Sequence, residues 1–436
     1  MVKITSFKGI TYNKEKITNL DKVMSPPYDI ISETMQDQLY QQDPQNFVRL
    51  ILGKQHSHDS DKENRYTRAQ QFFKQWLAEE ILQQADEEAL FPYKITYTHD
   101  GVTKTMNGFF TLLRIDPEYK NVKAHERTLS KPKADRLNLM RACHANLEPI
   151  QLLYIDKEDA IRQTMDAHLD QPLIKVNGYD GFTHSLWKIT DAKTIDAVKE
   201  ALEDEILFIA DGHHRYQTAI NFANEMKEQT GITDADAPFQ YRMVILVNMF
   251  DDGLEILPTH RLIKMSSLDR NQLLEKLSEY FTIEEHQVSK TSGDSDAFGK
   301  QLLKTIKTKT DHKFIMYFSD TYYVLTLKGV SVMDTLAGDR SETWRRLDVS
   351  ILHKIILEEI MGITQETLED HVKYTRVDGE AVDFVNQRKY DLSFLMNATK
   401  IQELKAIADG GEHMPQKSTY FLPKMLSGLV MYKMDF

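Results

Sequence analysis

Cysteine is almost absent from this 436-residue chain, with Cys143 the only one. A lone cysteine closes no internal disulfide and supplies no Cys-rich zinc or iron–sulfur site. It fits a reducing compartment. Glycine (18) and proline (12) are sparse, which excludes collagenous and low-complexity chains. No apolar run approaches the roughly 20 residues of a membrane span. The stretch Met1 to Lys8 lacks the apolar core of a signal peptide. The expectation is a cytoplasmic protein with no membrane partner. Positive charge is also short: 54 Lys and Arg stand against 66 Asp and Glu, a net charge of −12. Nucleic-acid backbones are neutralised by clustered Lys and Arg, so a general nucleic-acid partner is disfavoured.

Familiar signatures are missing too. There is no G-x-x-x-x-G-K-[ST] loop and no G-x-G-x-x-G, so NAD is not expected. There is no His-Arg-Asp kinase loop and no G-x-S-x-G elbow. No His-Glu-x-x-His helix offers zinc its two facing histidines. A nucleotide site in this chain is therefore of a rarer type.

What is present reads as two or three domains' worth of mixed structure. Phe72, Phe73, Trp76, Leu77 and Ile81 recur at helical spacing and predict a helix over 64–84. Strands 91–98 and 102–115 flank the turn His99-Asp100-Gly101. A helix is expected over 135–146 and strands over 149–155, 183–189, 205–210 and 241–250. Asn46 to Leu50 alternates polar and apolar residues and reads as a half-buried strand. Further on, helices are expected at 268–281, 296–308, 346–361 and 398–408, and a hairpin at 313–318 and 322–327. Hairpins mixed with helices argue an α+β fold rather than a doubly wound parallel sheet. The division expected is an N-terminal and central α+β domain, 1–265, and a C-terminal α+β domain, 266–436. The second would serve as lid or dimerisation element, its final loop returning to the site, and a homodimer is compatible with that.

The most informative segment is Asp211-Gly212-His213-His214-Arg215. An apolar strand, Glu205 to Ala210, runs into it and a helix begins within it. Helix starts present N–H groups and a positive dipole end, and so bind phosphate. Gly212 lets backbone approach a ligand. Arg215 suits bidentate contact with phosphate oxygens. Asp211 is placed to hold Mg²⁺ or to orient a histidine. The plain alternative is a strand-to-helix turn capped by Asp211.

Other constellations follow. Lys123 to Arg136 gathers charge before a helix. Within it Glu126 is a candidate general base with His125 beside it, and Lys133 and Arg136 are candidate phosphate contacts. The alternative is a solvated loop with surface ion pairs. His260 and Arg261 close a strand as a second anion-facing pair, or as a plain strand end. Ser25-Pro26-Pro27-Tyr28-Asp29 is a rigid extended loop. Arg49 is either a ligand contact or a rim charge. Lys417-Ser418-Thr419 offers an ammonium and hydroxyls to a small anion, or packs on the core.

Five of these segments, in order, resemble a bacterial and archaeal family called domain of unknown function 1015. They are Ser25 to Asp29, His125-Glu126 with Lys133 and Asp135-Arg136, Ile209 to Tyr216, Pro258 to Arg261, and Met414 to Phe421. The resemblance runs from about residue 5 to 433. More distantly, Asp-Gly-His-His-Arg is similar to the phosphate-binding box of the ParB–sulfiredoxin superfamily, which includes CTP-hydrolysing partition proteins, sulfiredoxins and free-serine kinases. That resemblance implies a mixed or antiparallel sheet core of ParB–sulfiredoxin type with added helices. Sulfiredoxin chemistry needs a cysteine in the box, which here has His213 and no Cys. Partition proteins need a basic helix-turn-helix, for which this acidic chain gives no convincing candidate.

The kinase branch implies a nucleotide-dependent phosphotransferase using Mg²⁺ and ATP or ADP. Its acceptor would be free L-serine, or the reaction would run in reverse from phosphoserine. In that reading Glu126, His125, Asp211 and His213 are catalytic, with Asp211 the metal ligand. Gly212, His214, Arg215, Lys133, Arg136, His260 and Arg261 bind phosphate or nucleotide. Tyr28, Asp29, Arg49, Lys417, Ser418 and Thr419 bind substrate. Two alternatives stay open: a nucleotide- or phosphate-binding regulatory protein without turnover, and a ParB-like nucleic-acid-associated protein.

Overall fold

The computed structural model describes residues 1–125, 130–265, 269–288, 293–308 and 310–436; the side chains of 130–133 are not among what it describes. The chain forms two compact units. One comprises Met1–Ala124, Thr128–Glu255 and Pro423–Phe436; the other comprises His125–Arg127 and Ile256–Leu422.

The first unit is built on a nine-stranded mixed sheet. Its strands lie in the order Val122–Lys123, Leu207–Asp211, Ile150–Tyr154, Tyr241–Asn248, Val102–Arg114, Phe91–His99, Thr183–Leu186, Ile174–Asn177, and Ile4–Thr5 pairs with Val102–Arg114 at the side. Two neighbouring pairs are parallel: Leu207–Asp211 with Val122–Lys123, and Tyr241–Asn248 with Ile150–Tyr154. The central strands Ile150–Tyr154 and Tyr241–Asn248 are buried at every position. Strands covered on both faces read as continuous apolar runs, which is how these two appear in the sequence. Helix His213–Thr230 lays Tyr216, Ala219, Ile220 and Ala223 against Ile150, Leu152, Val244 and Leu246. That spacing puts the four on one helical face. Burying each large apolar side chain contributes about 1.5–3 kcal/mol, and the strand–loop–helix is held rigid by this packing.

The hairpin forms as expected. Phe91–His99 pairs with Val102–Arg114 through His99 and Val102, and Asp100 and Gly101 both take positive φ (48° and 76°), the turn that suits strand twist. Two expectations are corrected. Residues 46–50 are not a strand: Val48–Ile51 is one helical turn. Asn46 accepts from Val48 N–H at 3.0 Å and donates to Lys22 O and Met24 O. Such a side chain turns the backbone, and Phe47, Val48, Leu50 and Ile51 are all buried. The helix expected to reach residue 84 ends at Ala78, because Glu80 adopts φ 58° and Leu82–Gln84 is extended.

The second unit holds a six-stranded antiparallel sheet, in the order Phe281–Gln287, Thr321–Leu327, Lys313–Tyr317, Leu392–Leu395, His260–Ile263, Val372–Thr375. Helices Ser295–Ile306 and Asp378–Asn386 cover it, with Leu302, Ile306, Val382 and Val385 against Ile315, Val324 and Leu395. The two helices meet at glycines: a Cβ on Gly299 would lie 2.6 Å from the Asp378 backbone. Helix Asp348–Ile351 continues into a π-helical stretch, Leu352–Ile360. The chain is thus α+β with a large mixed sheet. Among the described residues no helix is long and apolar enough to cross a membrane.

Candidate anion-binding site

The site grows from the end of strand Leu207–Asp211. Gly212 follows with φ 97°, a left-handed conformation that side chains resist. It breaks the strand and lets the helix start at His213. Tyr216 N–H donates to Gly212 O at 2.9 Å, closing the first turn. Arg215 therefore sits one turn in and folds back over the loop. Its Nη2 donates to Asp211 Oδ2 at 2.5 Å and its Nη1 donates to Pro149 O. Asp211 Oδ1 accepts from Lys424 Nζ at 2.6 Å. One carboxylate thus lies between two cations, one four residues away and one from the far end of the chain.

Burial pushes the Asp211 carboxyl up; Lys424 and Arg215 outweigh it and hold the group well below the usual carboxylate range. Each of its oxygens is in contact with a cation. A resident Mg²⁺ does not fit on Asp211 in this arrangement, and no group of three His, Cys, Asp or Glu is placed for a metal among the described residues.

A second layer surrounds Glu148, which is 4% exposed. Its Oε1 accepts from Tyr28 N–H and Ser427 Oγ, each at 3.1 Å, and its Oε2 accepts from Arg136 Nη1 at 3.3 Å. Arg136 also donates Nε to Asp135 Oδ2 at 2.8 Å, and its guanidinium lies 3.9 Å from the Tyr28 ring centroid. The Tyr28 hydroxyl is pushed up to about 12 by burial, against the pull of Arg136 and Arg215. Arg242, from the buried strand Tyr241–Asn248, donates Nη2 to Glu148 O at 2.6 Å. Gln151 stands cross-strand from Asp211, fully buried, both amide atoms without a partner among the described residues.

Among the residues singled out by the sequence, this unit therefore brings together Asp211, Gly212, Arg215, Arg136 and Tyr28. Asp29 follows Tyr28, and its charge acts on both Arg215 and Tyr28. His213 acts on Asp211 through its charge, and His214 O accepts from Thr218 Oγ1 at 2.8 Å. Arg49 stands apart, 4.2 Å from the Tyr40 ring centroid and donating to Tyr40 O. Lys133 lies on helix Ser130–Cys143, its side chain outside the described set, and Glu126 is outside the described residues.

The second unit holds the rest. His125 Nε2 is 3.0 Å from Thr419 Oγ1, and Met414 N–H donates to His125 O at 2.7 Å. His260 Nε2 meets Asp378 Oδ1 at 3.0 Å. Arg261, 1% exposed, donates to Thr259 O, His353 Nε2 and Lys417 O. Ser418 O accepts from Thr399 Oγ1 at 2.8 Å.

The sequence pattern of the family described as Protein of unknown function (DUF1015) matches residues 4–350. The chain belongs to that family. No curated protein matches it. Among solved structures, a free serine kinase mutant in complex with AMP shares 12% identity at a TM-score of 0.36, covering 74% of this chain and 92% of the other. A conserved hypothetical protein from Pyrococcus furiosus shares 12% at 0.33, covering 74% and 95%. SbnI with a C-terminal truncation, from Staphylococcus aureus, shares 11% at 0.34, covering 73% and 85%.

Three site residues of this DUF1015 protein were not flagged from the sequence: Glu148, Arg242 and Lys424. Arg242 had a usable signal, a charge at the entry of the apolar run Tyr241 to Val247. A charge inside a buried strand demands a partner or a task.

His353 of the second unit carries a pH prediction. Burial pushes its imidazole pKa well below the usual value, and Arg261 beside it adds to the shift; it accepts from Arg261 as a neutral ring. The folded form therefore resists a proton that the unfolded chain accepts at about pH 6.5. Stability is complete above that pH and falls as pH drops below it, by at most about 1.4 kcal/mol per pH unit for one histidine. Urea titrations between pH 7.5 and 5 should show this loss, and His353→Gln should flatten it. An unchanged slope in that variant would assign the effect elsewhere.

Proposed function

We propose that this DUF1015 protein binds a nucleotide phosphate at the Asp211–Arg215 loop and transfers a phosphoryl group to a small hydroxyl compound, L-serine first, or runs that reaction backwards from phosphoserine. The observation that carries the reading is the clamp on Asp211. It fixes Arg215 and Lys424 beside a left-handed glycine at the start of an 18-residue helix. Phosphoryl transfer asks for positioned cations and N–H donors more than for covalent help from the protein. The helix start supplies N–H groups, Arg215 and Arg136 supply charge, and the pairing keeps both arginines from swinging away.

In this reading an oxygen of the acceptor hydroxyl forms the new P–O bond while the bond to the departing nucleotide breaks. The hydroxyl proton goes to a carboxylate base, the role the sequence assigns to Glu126. Asp211 acts as the counter-ion that orients Arg215 and Lys424, and no step is routed through a metal. Mg²⁺ would arrive with the nucleotide phosphates, as it commonly does.

The test is a thermal-shift series with ADP, ATP, CTP, L-serine and phosphoserine, singly and in pairs, with Mg²⁺. Ligand at 100 times its Kd stabilises the folded state by about 2.7 kcal/mol. A nucleotide shift that grows with serine or phosphoserine, followed by turnover, supports the reading. Nucleotide stabilisation without product over hours transfers weight to a regulatory binding protein. No nucleotide shift defeats both.

A further inference from the structure

Next to the Asp211 clamp lies a cavity of about 30 Å³ lined by Arg136, Glu148, Arg215, Thr218 and Arg242, with apolar walls from Leu139, Met140 and Leu147. Three guanidinium groups face one carboxylate. That carboxylate is occupied by Tyr28 N–H, Ser427 Oγ and Arg136. Arg242 is the exception to charge pairing: it is 3% exposed, it makes one bond to a backbone carbonyl, and its Nε has no partner among the described residues. A buried guanidinium normally has an anion, because an unpaired charge in the interior is costly. Burial and the neighbouring Arg215 push the Arg242 pKa down to about 9, only partly offset by Glu148. The group is still a cation at neutral pH, held where an anion would relieve it.

Size selects the anion. A site needs roughly 10–15 Å³ of this measure per water-sized oxygen. The cavity takes about two such oxygens, the number in a carboxylate and half the number in a phosphate. Arginine also meets a carboxylate in bidentate fashion.

We infer that the cavity formed by Arg242 with Arg215 and Arg136 is a subsite for the carboxylate of the acceptor, adjoining the phosphate loop and set apart from it by Arg242. The inference rests on the phosphotransferase reading for the word acceptor, though carboxylate binding itself stands or falls alone. It makes Arg242 a specificity-determining residue: acceptors lacking a carboxylate bind poorly however good their hydroxyl.

The experiment compares acetate, lactate and L-serine with ethanolamine, which has the hydroxyl and amine of serine but no carboxylate, and with inorganic phosphate. Calorimetry and thermal shift are run at constant ionic strength on wild type, Arg242→Gln and Arg242→Lys. Wild type should bind serine and lactate, with ethanolamine silent. Arg242→Gln should weaken carboxylate binding by about tenfold or more, Arg242→Lys by less, while the nucleotide shift persists in both. Ligand-free Arg242→Gln should melt no lower than wild type, since a buried unpaired cation is removed. If it fails to fold, the serine-to-ethanolamine contrast in wild type and the lysine variant still decide.

Equal binding of serine and ethanolamine, unchanged affinity in Arg242→Gln, or no carboxylate binding up to tens of millimolar overturns the subsite. Phosphate binding that Arg242→Gln abolishes while carboxylates are ignored also overturns it, and makes the cavity part of the phosphate site. Turnover of serine with an unaltered KM in Arg242→Gln removes the subsite and leaves the phosphotransferase reading standing. Carboxylate binding without any nucleotide shift does the reverse.

Discussion

Asp211→Asn should destabilise the protein by about 3 kcal/mol and, under the proposed function, abolish any thermal shift with nucleotide. The carboxylate is the counter-ion of both Arg215 and Lys424, and its neutralisation takes that counter-ion from two cations that are 7% and 10% exposed. Breaking a buried ion pair from one side costs about 3–5 kcal/mol; the 19% exposure of Asp211 places the expectation at the lower end. Urea unfolding at pH 7 measures it. A second change separates the charge argument from loss of shape. Lys424→Met added to Asp211→Asn removes one of the two cations that lost this counter-ion and should recover part of the loss. A double variant no more stable than the single would mean that Lys424 is not held by charge. The same reasoning sets a pH limit. Because the Asp211 carboxyl titrates well below the usual carboxylate range, its contribution is complete above about pH 4 and disappears as pH falls further.

Glu148→Gln should be the other large effect, with a loss of about 4 kcal/mol. Glu148 is more deeply buried than Asp211, at 4% exposed, and takes three donors from three separate stretches of chain: Tyr28, Arg136 and Ser427. A glutamine keeps the shape but turns an acceptor into an amide N–H₂ facing either a guanidinium or two other donors. The charge that offsets Arg136, Arg215 and Arg242 disappears with it; Arg136 keeps Asp135 and Arg215 keeps Asp211, while Arg242 loses the anion that acts on it. Chemical denaturation measures the loss, and proteolysis around Tyr28 reports whether the proline-fixed loop at Ser25 to Asp29 comes free. A loss under 1 kcal/mol would mean that water compensates the arginines and that Glu148 is replaceable.

Local chemistry was readable in the sequence and distant chemistry was not. The Asp211–Arg215 loop was legible because its parts are neighbours: an apolar strand, a glycine and a helix start within ten residues. The hairpin at Asp100-Gly101 was legible for the same reason. The partners of that loop were not. Lys424 stands 213 positions from Asp211, and nothing in its surroundings distinguishes it from other lysines. Glu148 and Arg242 are single charges next to apolar strands, informative only once the parallel pairing of Ile150–Tyr154 and Tyr241–Asn248 sets them side by side. The strand expected at Asn46 to Leu50 failed because alternation counts polarity and not where a side chain bonds; Asn46 spends its amide on the backbone and winds the chain.

The return of Pro423–Phe436 to the first unit fixes an order of events during synthesis. Asp211 and Arg215 meet as soon as their helix forms, because they are four residues apart. Glu148 waits for Ser427, and Asp211 waits for Lys424, until the whole second unit has been made. A nascent chain that has not yet added Lys424 would therefore present Asp211 and Arg215 without the second cation.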